Sequence, residues 1–155
     1  MIKYMDLYKE KGKKDPYSKA LLPAIFKGRF NKIKVTVDGE VITKKKMLLC
    51  SAAHGQYIGG KYRCAPRSVN TDGLIDICLF HTMTIFGFLG ILGAFTEGKH
   101  FEKKNYQKKI VYRQVRHVLI ESEKEMDICV DGEMLKGKTF EIKSLPGAIR
   151  FVIPE

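Results

Sequence analysis

Residues 31–43 read NKIKVTVDGEVIT, and this short stretch decides the fold class. Asp38-Gly39 is a dipeptide typical of a two-residue hairpin turn, and residues 40–43 can return antiparallel to the residues before it. Before the turn, apolar side chains alternate with polar ones, which is the pattern of a half-buried strand: Ile33, Val35 and Val37. The stretch therefore predicts a β-hairpin.

Further strand patterns are spaced regularly along the chain. They lie at residues 47–53, 74–80, 111–121, 126–130, 138–143 and 148–153. Helical patterns are confined to residues 17–27 and 84–96. Seven or more short strands with two helical stretches predict a mainly β fold, an antiparallel β-sandwich with one or two short helices. At 155 residues, the chain is expected to form one domain, 1–155.

One segment has about the length of a membrane span. Residues 74–95 are mostly apolar. However, Asp76 and His81 interrupt the first half, and such side chains are costly in lipid. The segment is better explained as a strand followed by a buried or interfacial helix.

The charge of the chain is strongly positive. Twenty-eight Lys and Arg residues against 17 Asp and Glu residues give a net charge of +11. Such an excess attracts nucleic acid, anionic membranes or phosphate-bearing substrates. A solvated lysine-rich surface is the alternative, and the composition does not choose between them.

The four cysteines show neither a CxxC pair nor a zinc-ligand spacing. Three of them, Cys50, Cys78 and Cys129, lie in apolar stretches, where free cysteine behaves as a small hydrophobic residue. This pattern predicts core cysteines in a reducing cytosol.

Two loops contain residues that could bind a ligand. Residues 55–60, GQYIGG, could let a backbone approach a phosphate, but the GxGxxG fingerprint is missing and no helix follows, which favours a simple bend. Residues 70–76, NTDGLID, place Asp72 in a turn. An Asp there usually bonds its own backbone, although a carboxylate beside loop carbonyls can also bind Mg²⁺.

The motif DGE occurs twice, at residues 38–40 and 131–133. A glutamate at the base of a tight turn is held rigidly and could act as a general base toward a hydroxyl in a nearby cleft. It could equally be a solvated hairpin residue. The local sequence does not distinguish Glu40 from Glu133.

Taken in order, these motifs resemble the C-terminal half of bacterial diacylglycerol kinases and related soluble lipid kinases, members of the NAD kinase/diacylglycerol kinase-like superfamily. The matching motifs run from about residue 30 to the end: GxYxGG, CAPR, DGLIDICL, FxxLG, GKH, DGE and LPGAIRFVIP. In that family the domain is a β-sandwich packed against an α/β domain that carries a GGDGT motif for ATP. The sequence contains no GGDGT.

The resemblance implies an ATP-dependent lipid kinase that phosphorylates a lipid hydroxyl, with diacylglycerol to phosphatidate as the first expectation. It assigns the general base to Glu133, and a Mg²⁺ site to the Asp72 carboxylate with the backbone carbonyls of Val69 and Leu74. ATP would be the co-substrate, bound mainly by an N-terminal nucleotide-binding domain that is absent from these 155 residues. The isolated fragment is therefore expected to be inactive.

The same resemblance implies the partners and the location. We expect a lipid substrate at an anionic membrane surface, the missing nucleotide-binding domain, and no nucleic acid, while a homodimer stays open. The expected location is cytoplasmic, peripheral at the inner face of the membrane. The alternative function is a non-catalytic basic module that binds lipid or membrane.

Overall fold

A computed structural model describes residues 31–58 and 60–149. The predicted helix at 17–27 lies outside the described residues. The predicted strand at 148–153 lies mostly outside them too, and its two described residues form a bend.

Within the described residues the fold is mainly β, as predicted, with one α-helix. All neighbouring strands are antiparallel, and the sheet order is β4-β3-β2-β1-β5-β6. The strands are β1 (Lys32–Val37), β2 (Glu40–Ala53), β3 (Ile75–His81), β4 (Ile110–Val115), β5 (His117–Val130) and β6 (Glu133–Lys143).

The sheet folds over on itself at Arg116. This single residue joins β4, at one edge of the sheet, to β5, four positions away in the order. In a flat sheet that separation would be about 19 Å, whereas two Cα atoms flanking one residue are at most about 7.6 Å apart. The sheet must therefore curl into two layers, which is the predicted sandwich. The long strand β2 belongs to both layers, because it pairs with β1 in its first half and with β3 in its second.

The core lies between the two layers. Ile75, Ile77 and Leu79 of β3 are almost fully buried and belong to one cluster with apolar side chains of the opposite layer. Those side chains alternate along their strands, as the period of two requires: Ile33, Val35, Val37, Val118 and Ile120.

Strand β3 is buried on its other face as well. Phe80 packs edge-on against Phe95, with ring centroids 5.2 Å apart, and Phe95 lies on the helix α1 (Ile85–Glu97). Burial on both faces explains why the sequence of this strand is apolar without alternation. The span-like segment 74–95 is therefore a strand and a helix, and no helix in the described part of the chain is long and apolar enough to cross a membrane.

The helix α1 has clear signals at both ends. The Thr84 side chain accepts a hydrogen bond from the Gly87 amide at 3.1 Å, which caps the N-terminus. Gly98 ends the helix in the left-handed conformation, φ 77°. The predicted boundaries, 84–96, are correct to within one residue.

Three predictions need correction. The described residues form six strands rather than seven or more, because residues 40–53 form one strand and residues 126–130 continue β5. The predicted strand 111–121 is broken at Arg116, whose amide bonds to the Asp38 carboxylate instead of a sheet partner. Cys129 is exposed rather than part of the core, since it lies near the tip of the outermost hairpin.

Candidate active site

Both Asp-Gly hairpins form as predicted, with the same turn type. The aspartate and the glycine have positive φ in each turn: 45° and 89° at Asp38-Gly39, 47° and 103° at Asp131-Gly132. Two consecutive positive φ angles define a type I′ turn, whose twist suits antiparallel strands. The backbone alone therefore does not separate the two DGE motifs.

The surroundings of the two hairpins differ. Asp38 binds the β4–β5 junction: its carboxylate accepts hydrogen bonds from the backbone amides of Arg116, at 3.1 and 3.3 Å, and His117, at 2.9 Å. The Asp38 amide donates to the His117 carbonyl at 3.0 Å. The first hairpin is thus part of the link that connects the two layers.

The second hairpin projects into solvent. Glu133 opens β6 opposite Val130, and its side chain makes no hydrogen bond or ion pair with any residue in the described ranges 31–58 and 60–149. Three large apolar side chains around it are each nearly half exposed, namely Val130, Met134 and Leu135. Both glutamates are exposed, but the turn of Glu133 has an uncovered apolar rim, whereas the turn of Glu40 is bonded to the β4–β5 junction.

The Asp72 turn is built on its own hydrogen bonds. The Asp72 carboxylate accepts a hydrogen bond from the Leu74 amide at 2.8 Å, and the Asp72 amide donates to the Val69 carbonyl at 3.3 Å. Gly73 has φ 70°, and a Cβ atom there would lie 2.9 Å from the Pro146 ring. The Ser144 hydroxyl donates to the Gly73 carbonyl at 2.7 Å, so the turn is held against the chain after β6.

The donor set of this turn is compatible with a hard cation. It consists of one carboxylate and backbone carbonyls, all oxygen, which are the ligands that Mg²⁺ prefers. The hydrogen bond from Leu74 uses one oxygen of the Asp72 carboxylate, so the other oxygen is available to a cation. No group of three or more His, Cys, Asp or Glu side chains suited to a metal occurs among the described residues, so Asp72 would be the single charged ligand.

Asp72 and Glu133 lie at opposite ends of β6. The turn contacts Ser144 and Pro146, just after the strand ends at Lys143, whereas Glu133 is the first residue of the strand. Eleven residues of extended chain span about 30 Å. Within the described residues, the predicted base and the predicted metal site are therefore not brought together.

The described residues of the glycine-rich loop, 55–58 and 60, belong to a tight bend. An isolated bridge pairs Ile58 with Tyr62, and Gly60 has φ 80°. Gln56 ties the loop to the next segment, because its side chain accepts a hydrogen bond from Arg63 at 2.9 Å and donates to the Ser68 carbonyl at 3.3 Å. The Gln56 side chain therefore stabilises a bend in the chain.

Sequence reasoning missed a buried carboxylate in β3. Asp76 is fully buried, and its Oδ1 accepts a hydrogen bond from the Tyr112 hydroxyl, while its Oδ2 has no partner. Burial and this hydrogen bond raise the pKa of Tyr112 above its usual value. The Arg67 guanidinium lies 5.7 Å from the centroid of the Tyr112 ring. The available signal was a lone charge within the apolar run 74–80, but nothing in the sequence indicated its partner.

A buried histidine lies beside this pair. His100 is fully buried between the rings of Phe80, Phe95 and Phe101, and its Nε2 is 3.9 Å from the Cys78 sulfur. Burial lowers the pKa of His100 to about 4. At neutral pH this histidine is an uncharged core residue.

The profile of the YegS C-terminal NAD kinase beta sandwich-like domain matches residues 5–153. The chain belongs to this family. Curated relatives named "Probable lipid kinase YegS-like" include a protein of Pseudomonas aeruginosa, strain UCBPP-PA14, 26% identical over 127 residues. The match covers 82% of this chain and 38% of that protein. A Shewanella frigidimarina relative is 26% identical over 137 residues, covering 88% and 41%.

Solved structures show the same fold. A candidate diacylglycerol kinase from Bacillus anthracis, strain Sterne, superimposes with a TM-score of 0.64 at 24% identity, covering 85% of this chain and 45% of its own. A second structure from that strain gives 0.60 at 25% identity, covering 90% and 46%. The YegS-like domain therefore spans about two fifths of the length of the curated relatives and under half of these solved chains.

Proposed function

We propose that this YegS-like domain is the substrate-side part of an ATP-dependent lipid kinase, which phosphorylates a lipid hydroxyl and converts diacylglycerol to phosphatidate. The observation that carries the proposal is the family match across residues 5–153, together with relatives named as lipid kinases. A lipid with a free primary hydroxyl on a small headgroup suits a base presented on an exposed turn with an apolar rim.

In this reaction Glu133 is the general base. Its carboxylate accepts the proton of the lipid hydroxyl while the hydroxyl oxygen forms a bond to the γ-phosphorus of ATP. The bond from that phosphorus to the β–γ bridging oxygen breaks, and ADP leaves. The type I′ turn fixes the backbone that carries Glu133, and a base contributes to the rate only when it is held within hydrogen-bond reach of its proton.

The nucleotide would be held mainly by a second domain. The sequence contains no GGDGT, and its relatives are more than twice as long as the matched region. The exposed side chains of Val130, Met134 and Leu135 offer that domain an apolar contact beside Glu133. Catalysis would then take place where the two domains meet, and the isolated chain would be inactive.

The Asp72 turn would bind Mg²⁺ in a structural role. When bound, the ion would supply positive charge to the turn, with Asp72 and the carbonyls of Val69 and Leu74 as its protein ligands. Its distance from Glu133 along β6 supports a role in holding the turn rather than in contacting the reacting atoms.

The net charge of +11 fits a location at the inner, anionic face of the cytoplasmic membrane, where a lipid substrate lies.

The test is a kinase assay on the parent enzyme that contains this domain, with diacylglycerol, phosphatidylglycerol, a sphingoid base and a long-chain polyprenol presented in mixed micelles. We expect ATP-dependent phosphorylation of diacylglycerol by the parent, and none by the 155-residue chain. Phosphorylation of a different lipid would show that the enzyme is a lipid kinase but that diacylglycerol is not its substrate. A parent enzyme that transfers phosphate to no lipid would overturn the proposed function.

A further inference from the structure

The outer face of α1 lacks the polar side chains expected of a surface helix. Phe86 is 86% exposed and Leu89 is 47% exposed, while the opposite face packs inward through Phe88, Ile91 and Phe95. A helix on the surface of a water-soluble domain normally carries polar residues outside. The first charged residue of α1 is Glu97, at its last position. Because exposure of apolar side chains to water is unfavourable, this face is suited to contact with another apolar surface.

Two lysines lie next to the segment that leads into the N-terminal end of this face. The Lys109 ammonium lies 3.5 Å from the Thr82 carbonyl, and the Thr82 amide donates to the Lys46 carbonyl at 3.4 Å. Thr82 lies just before α1 in the sequence, so these contacts place Lys109 and Lys46 beside the segment that leads to Phe86. Lys46 is exposed and directly precedes Met47, whose side chain belongs to the core between the layers. The Lys46 side chain therefore lies on the outer side of the sheet, the side that carries α1.

The stretches of sequence that form this corner contain no acidic residue. The sequence has no Asp or Glu between Val41 and Thr71, between His81 and Thr96, or between Lys103 and Val118. These three stretches contain the lysines and the helix just described. The acidic residues of the described chain are concentrated instead in the β5–β6 hairpin.

We propose that the α1 patch, defined as Phe86, Leu89, Lys46 and Lys109, docks onto an anionic phospholipid bilayer. The two apolar side chains enter the interface, and the lysines contact the phosphates of the headgroups. The proposal deepens the proposed function, because it names the surface by which a lipid kinase would reach its substrate.

A bilayer fits this patch better than a second copy of the chain. Two copies meeting at the patch would bring Lys46 and Lys109 of each copy together, and like charges repel. An anionic bilayer instead offers apolar depth for the phenyl and leucyl side chains and negative charge for the lysines. With 13 residues, α1 is too short to span the membrane and suits the interface.

The absence of tryptophan from the chain permits a direct test. Phe86→Trp creates a single reporter, and we expect its emission to shift to the blue on addition of vesicles of phosphatidylglycerol and phosphatidylcholine, but not with phosphatidylcholine alone. Leu145→Trp is the matched control. Leu145 is 74% exposed but follows Ser144, which contacts Gly73 in the turn before β3, whereas α1 follows the last residue of β3. Its emission should not move.

Vesicle sedimentation adds a quantitative test. Phe86→Ser/Leu89→Ser should lower the partition coefficient at least about tenfold, because each removed side chain loses apolar burial, whereas Leu145→Ser should change it less than about twofold. Lys46→Glu/Lys109→Glu should lower it at least about tenfold, well beyond Lys124→Glu/Lys138→Glu, which changes the net charge equally on the β5–β6 hairpin. Circular dichroism confirms that each variant is folded.

The alternatives have separate outcomes. A blue shift of Phe86→Trp that appears without vesicles and grows with protein concentration would show a second copy on the patch and overturn the proposal. A reporter already shifted in the longer parent enzyme, before vesicles are added, would show that another domain covers the patch and would also overturn it. Since ATP is never present, docking and kinase activity fail or succeed independently.

Discussion

Two glutamates in identical local sequence occupy different surroundings. Each follows an Asp-Gly turn of the same type, and each opens the outgoing strand of a hairpin. The difference comes from residues remote in the sequence: Asp38 bonds to Arg116 and His117, whereas the hairpin of Glu133 is left open. A residue's function here depends on what its turn contacts.

We predict that Glu133→Gln in the parent enzyme lowers kcat by about 10²–10⁴, the usual contribution of a positioned base, and leaves the fold intact because the shape of the side chain is kept. Glu40→Gln is the matched control and should change kcat less than about threefold. Steady-state kinetics with diacylglycerol measure both. Equal losses, or a larger loss at Glu40, would show that the base belongs to the other hairpin.

We predict that Asp72→Asn weakens Mg²⁺ binding by about tenfold or more, measured by calorimetric titration of the 155-residue chain. Asparagine still offers an oxygen to the Leu74 amide, so the turn is kept while the only charged ligand is lost. Glu133→Gln removes a carboxylate at the far end of β6 and should leave the affinity unchanged. If Asp72→Asn binds Mg²⁺ as tightly as the wild type, the turn is not a metal site.

At the level of elements, the first hairpin joins parts of the sheet that the chain order keeps apart. Strand β1 pairs with β2 and with β5, and Asp38 adds side-chain bonds to the residue between β4 and β5. The second hairpin pairs only β5 with β6, at the edge of the sheet. One hairpin therefore supports the fold, and the other is available for contact.

We predict that Asp38→Ala lowers the free energy of unfolding by about 1–2 kcal/mol more than Asp131→Ala, in urea denaturation at pH 7. Both substitutions place alanine at a similar positive φ, so the strain cancels in the comparison. What remains is the loss of the hydrogen bonds from the Arg116 and His117 amides to a carboxylate. Equal destabilisation would mean that these bonds do not stabilise the junction.

At the scale of the whole molecule, β3 is the centre of the packing. One face of β3 lies on the core between the layers, and the other lies under α1 and the following turn at His100. Histidine is buried there in its neutral form, since no carboxylate takes part in its described contacts and aromatic rings surround it. Protonation of this residue is therefore linked to unfolding.

We predict that the stability of the domain falls as the pH falls from about 6.5 to 4. The pKa of His100 is lowered to about 4 in the folded state, whereas the unfolded chain titrates near 6.5 and binds the extra proton in this window. This residue alone contributes a slope of up to about 1.4 kcal/mol per pH unit. Urea denaturation at several pH values measures it.

His100→Gln should have a smaller slope over the same window, whatever its overall stability. As an independent check, the ring resonances of His100 in the folded wild type should titrate with a midpoint below 5. A midpoint near 6.5 would contradict the prediction.

The sequence alone determined the fold class and several of the elements. Three local signals predicted their elements correctly: the two Asp-Gly turns, the alternation in residues 31–37 and the apolar run from residue 84. Each signal depends only on neighbours along the chain, so the sequence contains all of it. The order of the motifs was enough to identify the family, since it reflects a whole domain.

Only the tertiary structure decided the rest. Five features depend on residues that meet from distant parts of the chain. They are the fold-over at Arg116, the pairing of buried Asp76 with Tyr112, the neutral His100, the exposed Cys129 and the apolar outer face of α1. Burial and charge balance are sums over such neighbours, and a local pattern does not contain them. For the same reason, the sequence left the two DGE motifs equal, and the packing around Asp38 made them different.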